Sequence, residues 1–448
     1  MIVGMVRNIV LAALFWAGAL HPLNAGWNAG FAKANITPRE SIFMAGYGNR
    51  THPSEGVLAE LYVKALALED DSGSRAVLVT SDLLGFPKEV GDAIAARATA
   101  KYGLSRDRIA LNSSHTHSGP VIGRMLWPAY SITEEQQAVI DRYTAWLIGQ
   151  TVDTIGAALK NLSPAMLSFS QETAGFAVNR RHANHRAWPG PVDHDVPVLA
   201  VRAPGGKLRA AVFGYACHAT TVGIYQLNGD WPGFAQSELE SAYPGAEFLF
   251  VAGAGADANP LPRHTVELAR MYGKVMAAAV STALNAKPKS LSGPLRTAFE
   301  HVALPFQTPP TRAELESRLS DPSVYTVRHA KLMLARLERD GKLPDQYPYP
   351  LQVWRFGKDL AFIVMGGEVV VDYALRFKAQ YGWDTTWVAG YSNDVFAYIP
   401  SLRVLKEGGY EGAGAMIVYG QPAAFRPAVE EIIAEKVDDL MRATEPAR

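Results

Sequence analysis

Strand-like and helix-like segments alternate along most of this chain, and that alternation limits its fold more than any other feature. Apolar, β-rich runs cover Ala76 to Thr80, Arg108 to Ser113, Val196 to Arg202, Leu208 to Ala216 and Glu247 to Ala252. Pro204-Gly205-Gly206 turns the third run into the fourth, and Gly357-Lys358-Asp359 joins Leu351 to Arg355 with Leu360 to Met365 in a second hairpin. Helical patterns occupy Lys88 to Tyr102, stopped by Gly103, and Thr133 to Leu162, opened by Thr133 with Glu134 and Glu135 in the first turn. Val266 to Leu284, Val369 to Tyr381 and Pro427 to Arg442 add three more. The pattern predicts a mixed α/β (α+β) fold, one large domain whose mixed sheet is flanked by helices around one continuous core. Thr311 to Lys342 is helical and charge-rich, which suits a solvated surface excursion.

Forty-three basic residues balance 43 acidic ones, and no Lys/Arg run interrupts a composition that is 48% hydrophobic. A nucleic-acid partner therefore has no electrostatic footing here. The first residues have the layout of an export signal: Arg7, the apolar stretch Ile9 to Leu20, then Leu23-Asn24-Ala25 with a small residue at the cleavage position. Cleavage after Ala25 is predicted, with residues 26–448 as a single hydrolase domain, periplasmic or secreted. No other segment is long and apolar enough to cross a bilayer. Cys217 is the only cysteine, so no intrachain disulfide forms, and a small buried side chain explains it better than a nucleophile.

The chemistry concentrates at strand ends. His115 and His117 follow the run Arg108 to Ser113 and precede Gly119-Pro120. In an extended strand, residues i and i+2 share a face, so both imidazoles would leave the strand end together. Such a pair suits a transition metal, and an open zinc site makes a hydrolytic nucleophile. A plain polar strand end explains the same residues without a metal. His218 ends a second apolar run, Glu368 follows a third through Gly366-Gly367, and Asp257-Ala258-Asn259-Pro260 follows a fourth. Glu368 also suits a helix start, and Asp82, Asp230 and Asp257 suit turns or caps. The chain has no G-x-S-x-G elbow, no H-E-x-x-H and no phosphate-binding G-x-x-x-x-G-K-[ST].

Together these segments resemble the neutral (non-lysosomal) ceramidases, a family of exported zinc-dependent amidases. The resemblance rests on Ala34-Asn35-Ile36-Thr37-Pro38, Met44-Ala45-Gly46-Tyr47 and His115-Thr116-His117-Ser118-Gly119-Pro120. It continues through Asn179-Arg180, His218, Asp230-Trp231-Pro232-Gly233, Gly367-Glu368 and Tyr410-Glu411-Gly412-Ala413. It implies one zinc per chain held by His115, His218, Glu368 and Tyr398; Tyr398 lies twelve residues before Tyr410, the interval of the matching family tyrosines. It further implies His117 or Asp257 as proton carrier, with Arg180 and Tyr410 at the oxyanion. Two departures stand out. Asn259 occupies the position of a family serine, which removes an acyl-serine route but leaves an amide that can donate to an oxyanion. The family's C-terminal β-sandwich has no counterpart in the helical pattern from Pro427 to Arg442. The substrate implied is an N-acyl lipid or small molecule. A zinc esterase or lactonase and an inactive, ceramidase-like binding protein are the alternatives. Oligomeric state and peripheral membrane contact stay open.

Overall fold

The computed structural model describes residues 26–181 and 189–445. The export-signal expectation for residues 1–25 falls outside the described residues.

A large mixed sheet is built from β1 (Trp27–Asn35), β2 (Tyr62–Asp70), β3 (Arg75–Ser81), β4 (Ile109–Ser113), β5 (Ser163–Thr173), β6 (Asp195–Arg202), β7 (Leu208–Tyr215) and β8 (Glu247–Ala252). Its order is β8-β7-β6-β5-β1-β2-β3-β4, with Lys289–Ser290 paired to β5. The β3–β4 and β7–β8 pairs are parallel and the others antiparallel. A second sheet joins β9 (Leu295–Pro305), β10 (Gln346–Phe356), β11 (Leu360–Met365) and β12 (Thr386–Ala389) in that order.

Strand alternation sorts the side chains into layers. Leu66, Leu68, Ala76, Leu78, Leu199, Val201, Leu249 and Val251 point inward and meet Trp354, Phe356, Phe362 and Trp387 of the second sheet. Their neighbours Val63, Ala65, Val77, Val79, Val198 and Phe248 point the other way, towards helices. Those helices are α1 (Lys88–Tyr102), α2 (Glu134–Lys160), α3 (Asp230–Ala242) and α4 (Val266–Asn285). On the far side of the second sheet lie α5 (Val371–Tyr381) and α6 (Val429–Ala443), which supply Phe377, Val429, Ile433 and Val437 to a further apolar layer. The mixed α/β fold with a large mixed sheet flanked by helices is the one expected from sequence; a second sheet stacks on the first, so the core is divided into an apolar layer between the sheets and one outside each.

Local chemistry explains the helix boundaries. The Thr133 side chain accepts from Gln136 N, and the Gln136 side chain accepts from Thr133 N, which satisfies two otherwise bare amides at the start of α2. At the end of α1, Gly103 takes the left-handed conformation (φ 71°) that a side chain disfavours.

The two edge strands of the large sheet, β4 and β8, come side by side. Asn112 bridges them: its Oδ1 accepts from Ala252 N (2.9 Å), and its Nδ2 donates to Gly390 O (2.8 Å) and Ser392 Oγ (3.0 Å). The carboxyl ends of β4, β7, β8, β11 and β12 therefore open onto one region.

Candidate metal centre

Each histidine of the region is presented by a different device. β4 ends at Ser113, and His115 adopts φ 58°, so the pair is not aligned by strand alternation as the i, i+2 spacing suggested. A left-handed, non-glycine residue is strained and persists only where its surroundings over-determine it. Here the His115 ring packs against Tyr391 (4.4 Å between centroids), and its Nδ1 lies 2.7 Å from Leu84 O. His218 follows β7, with Nδ1 2.9 Å from Gly255 O. A carbonyl only accepts, so Nδ1 carries the proton in both rings and each Nε2 keeps its lone pair. His117 is held by Gly46, whose φ of 99° lets its backbone press on the ring; a Cβ there would lie 2.4 Å from His117 Cγ.

Glu368 reaches the same point through its double-glycine turn. Gly367 has φ 69°, and a Cβ on it would stand 2.8 Å from Ala397 O. The following residues pair in parallel with Tyr398–Ile399, which sets Glu368 directly beside Tyr398.

The Nε2 atoms of His115 and His117 are 3.2 Å apart, and the ligating nitrogens of His115, His117 and His218 all lie within 4.8 Å of one another. Glu368 Oε2 is 3.1 Å from His218 Nε2 and 3.3 Å from His115 Nε2. Tyr398 Oη is 3.5 Å from His218 Nε2. Two lone-pair nitrogens and a carboxylate oxygen facing each other at these distances repel unless a cation sits among them. The donor set of imidazoles and carboxylate fits zinc or a similar divalent ion. Burial and the nearby Arg180 charge push His218 down to about 4, which keeps the imidazole neutral.

Arg180 spans the centre. Its Nε donates to Glu411 (2.7 Å), its Nη2 to Tyr398 Oη (2.9 Å), and its Nη1 approaches His218 Nε2 and Asn259 Oδ1, each at 3.5 Å. Asn259 thus meets Arg180 through its carbonyl oxygen rather than offering its amide protons to it. Tyr410 is 48% exposed, with its ring 5.3 Å from that of Tyr398.

Asp257 departs from the proton-carrier expectation. Its Oδ1 accepts from Val371 N (2.9 Å) at the start of α5, and its Oδ2 accepts from Asn179 Nδ2 (2.9 Å). Among the described residues no hydrogen bond joins it to the imidazoles. Burial raises it to about 6, and its part is to tie the loop after β8 to a helix. Asp82 and Asp230 likewise bind backbone amides, those of Tyr62 and of Val222 and Trp231. Cys217 is buried, which pushes its thiol well above the ordinary range.

Three partners were not anticipated: Glu411, Tyr391 and Tyr419, whose hydroxyl donates to Glu368 Oε1. Glu411 stood within the quoted Tyr410-Glu411-Gly412-Ala413, whereas no spacing marked either tyrosine. The charge-rich segment also has a larger part than a solvated excursion. It forms helices Arg312–Ser317 and Val324–Asp340, and Tyr325 Oη donates to Gly48 O (3.2 Å). A cavity of about 330 Å³ lies between Gly46, Tyr325, Tyr410 and Ile417, and Gly46 on its wall is the residue that presses on the His117 ring.

Known proteins share stretches of this sequence and its fold. Residues 27–304 match the family described as neutral/alkaline non-lysosomal ceramidase, N-terminal. Glu368, Tyr398 and Tyr410 lie beyond that span. The chain is 30% identical over 117 residues to a neutral ceramidase of Drosophila melanogaster, covering 25% of this chain and 16% of that protein. It is 24% identical over 208 residues to neutral ceramidase B of Dictyostelium discoideum, covering 43% and 29%. These matches span well under half of the relatives' length. The solved neutral ceramidase from Pseudomonas aeruginosa has the same fold, with TM-score 0.75, 19% identity, and coverage of 94% of this chain and 75% of that one. A structure of ceramidase complexed with C2 gives TM-score 0.73 at 18% identity, covering 94% and 76%. The family match takes in more than half of the sequence, and the chain belongs to the neutral/alkaline non-lysosomal ceramidase family.

Proposed function

We propose that this chain is an exported, zinc-dependent hydrolase that cleaves the amide bond of an N-acyl substrate, ceramide-like or another lipid or small molecule, with water as nucleophile. The observation that carries this is the convergence of His115, His117, His218 and Glu368 on one point, in a fold shared with ceramidases. His115, His218, Glu368 and Tyr398 would hold one zinc ion. When bound, such an ion supplies Lewis acidity, which acidifies water and polarises a carbonyl.

The chain's own groups do the rest. His117, packed behind Gly46 of the cavity wall, accepts a proton at Nε2 from the attacking water and delivers it to the departing nitrogen. Arg180, anchored by Glu411, holds its positive charge where the carbonyl oxygen becomes negative, and Tyr410 donates from the cavity side. The cavity between Tyr325 and Tyr410 receives the substrate.

The test is metal analysis of the purified protein, with hydrolysis of a fluorogenic N-acyl amide followed before and after chelation. One zinc per chain and chelator-sensitive turnover are expected, and absence of stoichiometric metal sinks the reading. Turnover of O-acyl but not N-acyl substrates would make the enzyme an esterase. Zinc without turnover would point to a binding protein, with Asn259 as the lesion.

A further inference from the structure

We infer that Tyr419 is a positioning residue that makes Glu368 a one-oxygen ligand. The inference rests on the metal reading above. The two oxygens of Glu368 face different partners. Oε1 accepts the Tyr419 hydroxyl, while Oε2 faces the Nε2 atoms of His218 (3.1 Å) and His115 (3.3 Å). Glu368 is 3% exposed, so water does not compete for Oε1.

Tyr419 is itself fixed. Its amide donates to Ala415 O (3.0 Å), and its ring meets that of Tyr398 nearly edge-on, 6.2 Å between centroids. A carboxylate oxygen only accepts, so the Tyr419 hydroxyl is the donor of this hydrogen bond.

A free carboxylate can bind a divalent ion through one oxygen or both. Capping Oε1 with an O–H lowers its basicity and holds the carboxylate plane, so only Oε2 is presented. That leaves a coordination position for substrate or water, which an open site requires. Residues that orient metal ligands in this way typically change metal affinity by about 10–100-fold when removed.

The experiment compares the intact protein with Tyr419→Phe, which keeps the ring. Both are stripped of metal and titrated with cobalt(II). Binding about 10–100-fold weaker, and visible absorption per cobalt falling several-fold as Oε1 joins the metal, are expected. Unchanged affinity with an unchanged spectrum would overturn the inference. X-ray absorption of the unaltered zinc protein gives a second answer that does not depend on the variant's folding. One carboxylate oxygen on the metal supports the inference, and two overturn it. If the unaltered protein bound neither cobalt nor zinc, the metal reading would fall first and take this inference with it.

Discussion

Among the described residues the Arg180 side chain has four polar neighbours within 3.5 Å, yet its removal need not unfold the site. Arg181 Nη1 also donates to Glu411 (2.7 Å), so that carboxylate keeps a partner. Arg180→Ala is expected to lower kcat about 10²–10³-fold while zinc content is retained, as measured by turnover and metal analysis on one preparation. Asp394 gives a stability prediction of a different kind. Burial raises it from 3.8 to about 7, Tyr347 donates to its Oδ2 (2.6 Å), and its Oδ1 has no hydrogen-bond partner among the described residues. The folded chain therefore keeps a proton that the unfolded chain releases above about pH 4. Stability falls as pH rises from there to about 7 and is then flat. Asp394→Asn should flatten that decline, and Tm measured from pH 4 to 8 should show the variant gaining on the parent chain towards pH 8. The residues legible in the sequence were those whose type is rare at a strand end: His115, His117, His218 and Glu368. Glu411 stood in a quoted motif, but its partner Arg180 lies 231 positions away, and Tyr391 and Tyr419 are two of 18 tyrosines that no local signal separates.

Among the elements, Glu247–Ala252 and the long helix α2 were legible because apolar content and a capping residue mark them. The strands β1, β2, β5 and β9 were not. β1 reads Trp-Asn-Ala-Gly-Phe-Ala-Lys-Ala-Asn, poor in β-branched residues, because α2 lies across it at close range. A Cβ on Gly30 would stand 2.3 Å from Ala158 O of that helix. Close packing thus selects small residues where propensity asks for large ones. Gly30→Ala should cost about 1–3 kcal/mol through forced separation of helix and sheet, visible as a lower Tm with zinc content unchanged.

At the scale of the whole molecule, the centre draws on segments that follow β4, β7 and β11, together with the Tyr398 region, and so couples both sheets. An ion held there binds the folded chain and not the unfolded one. At a thousandfold excess over Kd this adds about 4 kcal/mol, so chelation should lower Tm by several degrees and added zinc should restore it. The sequence signalled strand ends as the site but not the second sheet, because hairpin patterns do not say which sheet they join. Asn112 carries a further consequence. Exposed edge strands recruit foreign strands, and proteins usually blunt them with charges or bulges. Here β4 and β8 face each other, and one carboxamide substitutes for the missing rung between them. Asn112 shares that seam with residues 390–393, where Asn393 N donates to Leu111 O (2.7 Å) and Gly390 N to Ala252 O (3.0 Å), so the groups that occupy these strand edges stand three residues from His115 and also brace the approach to its chemistry.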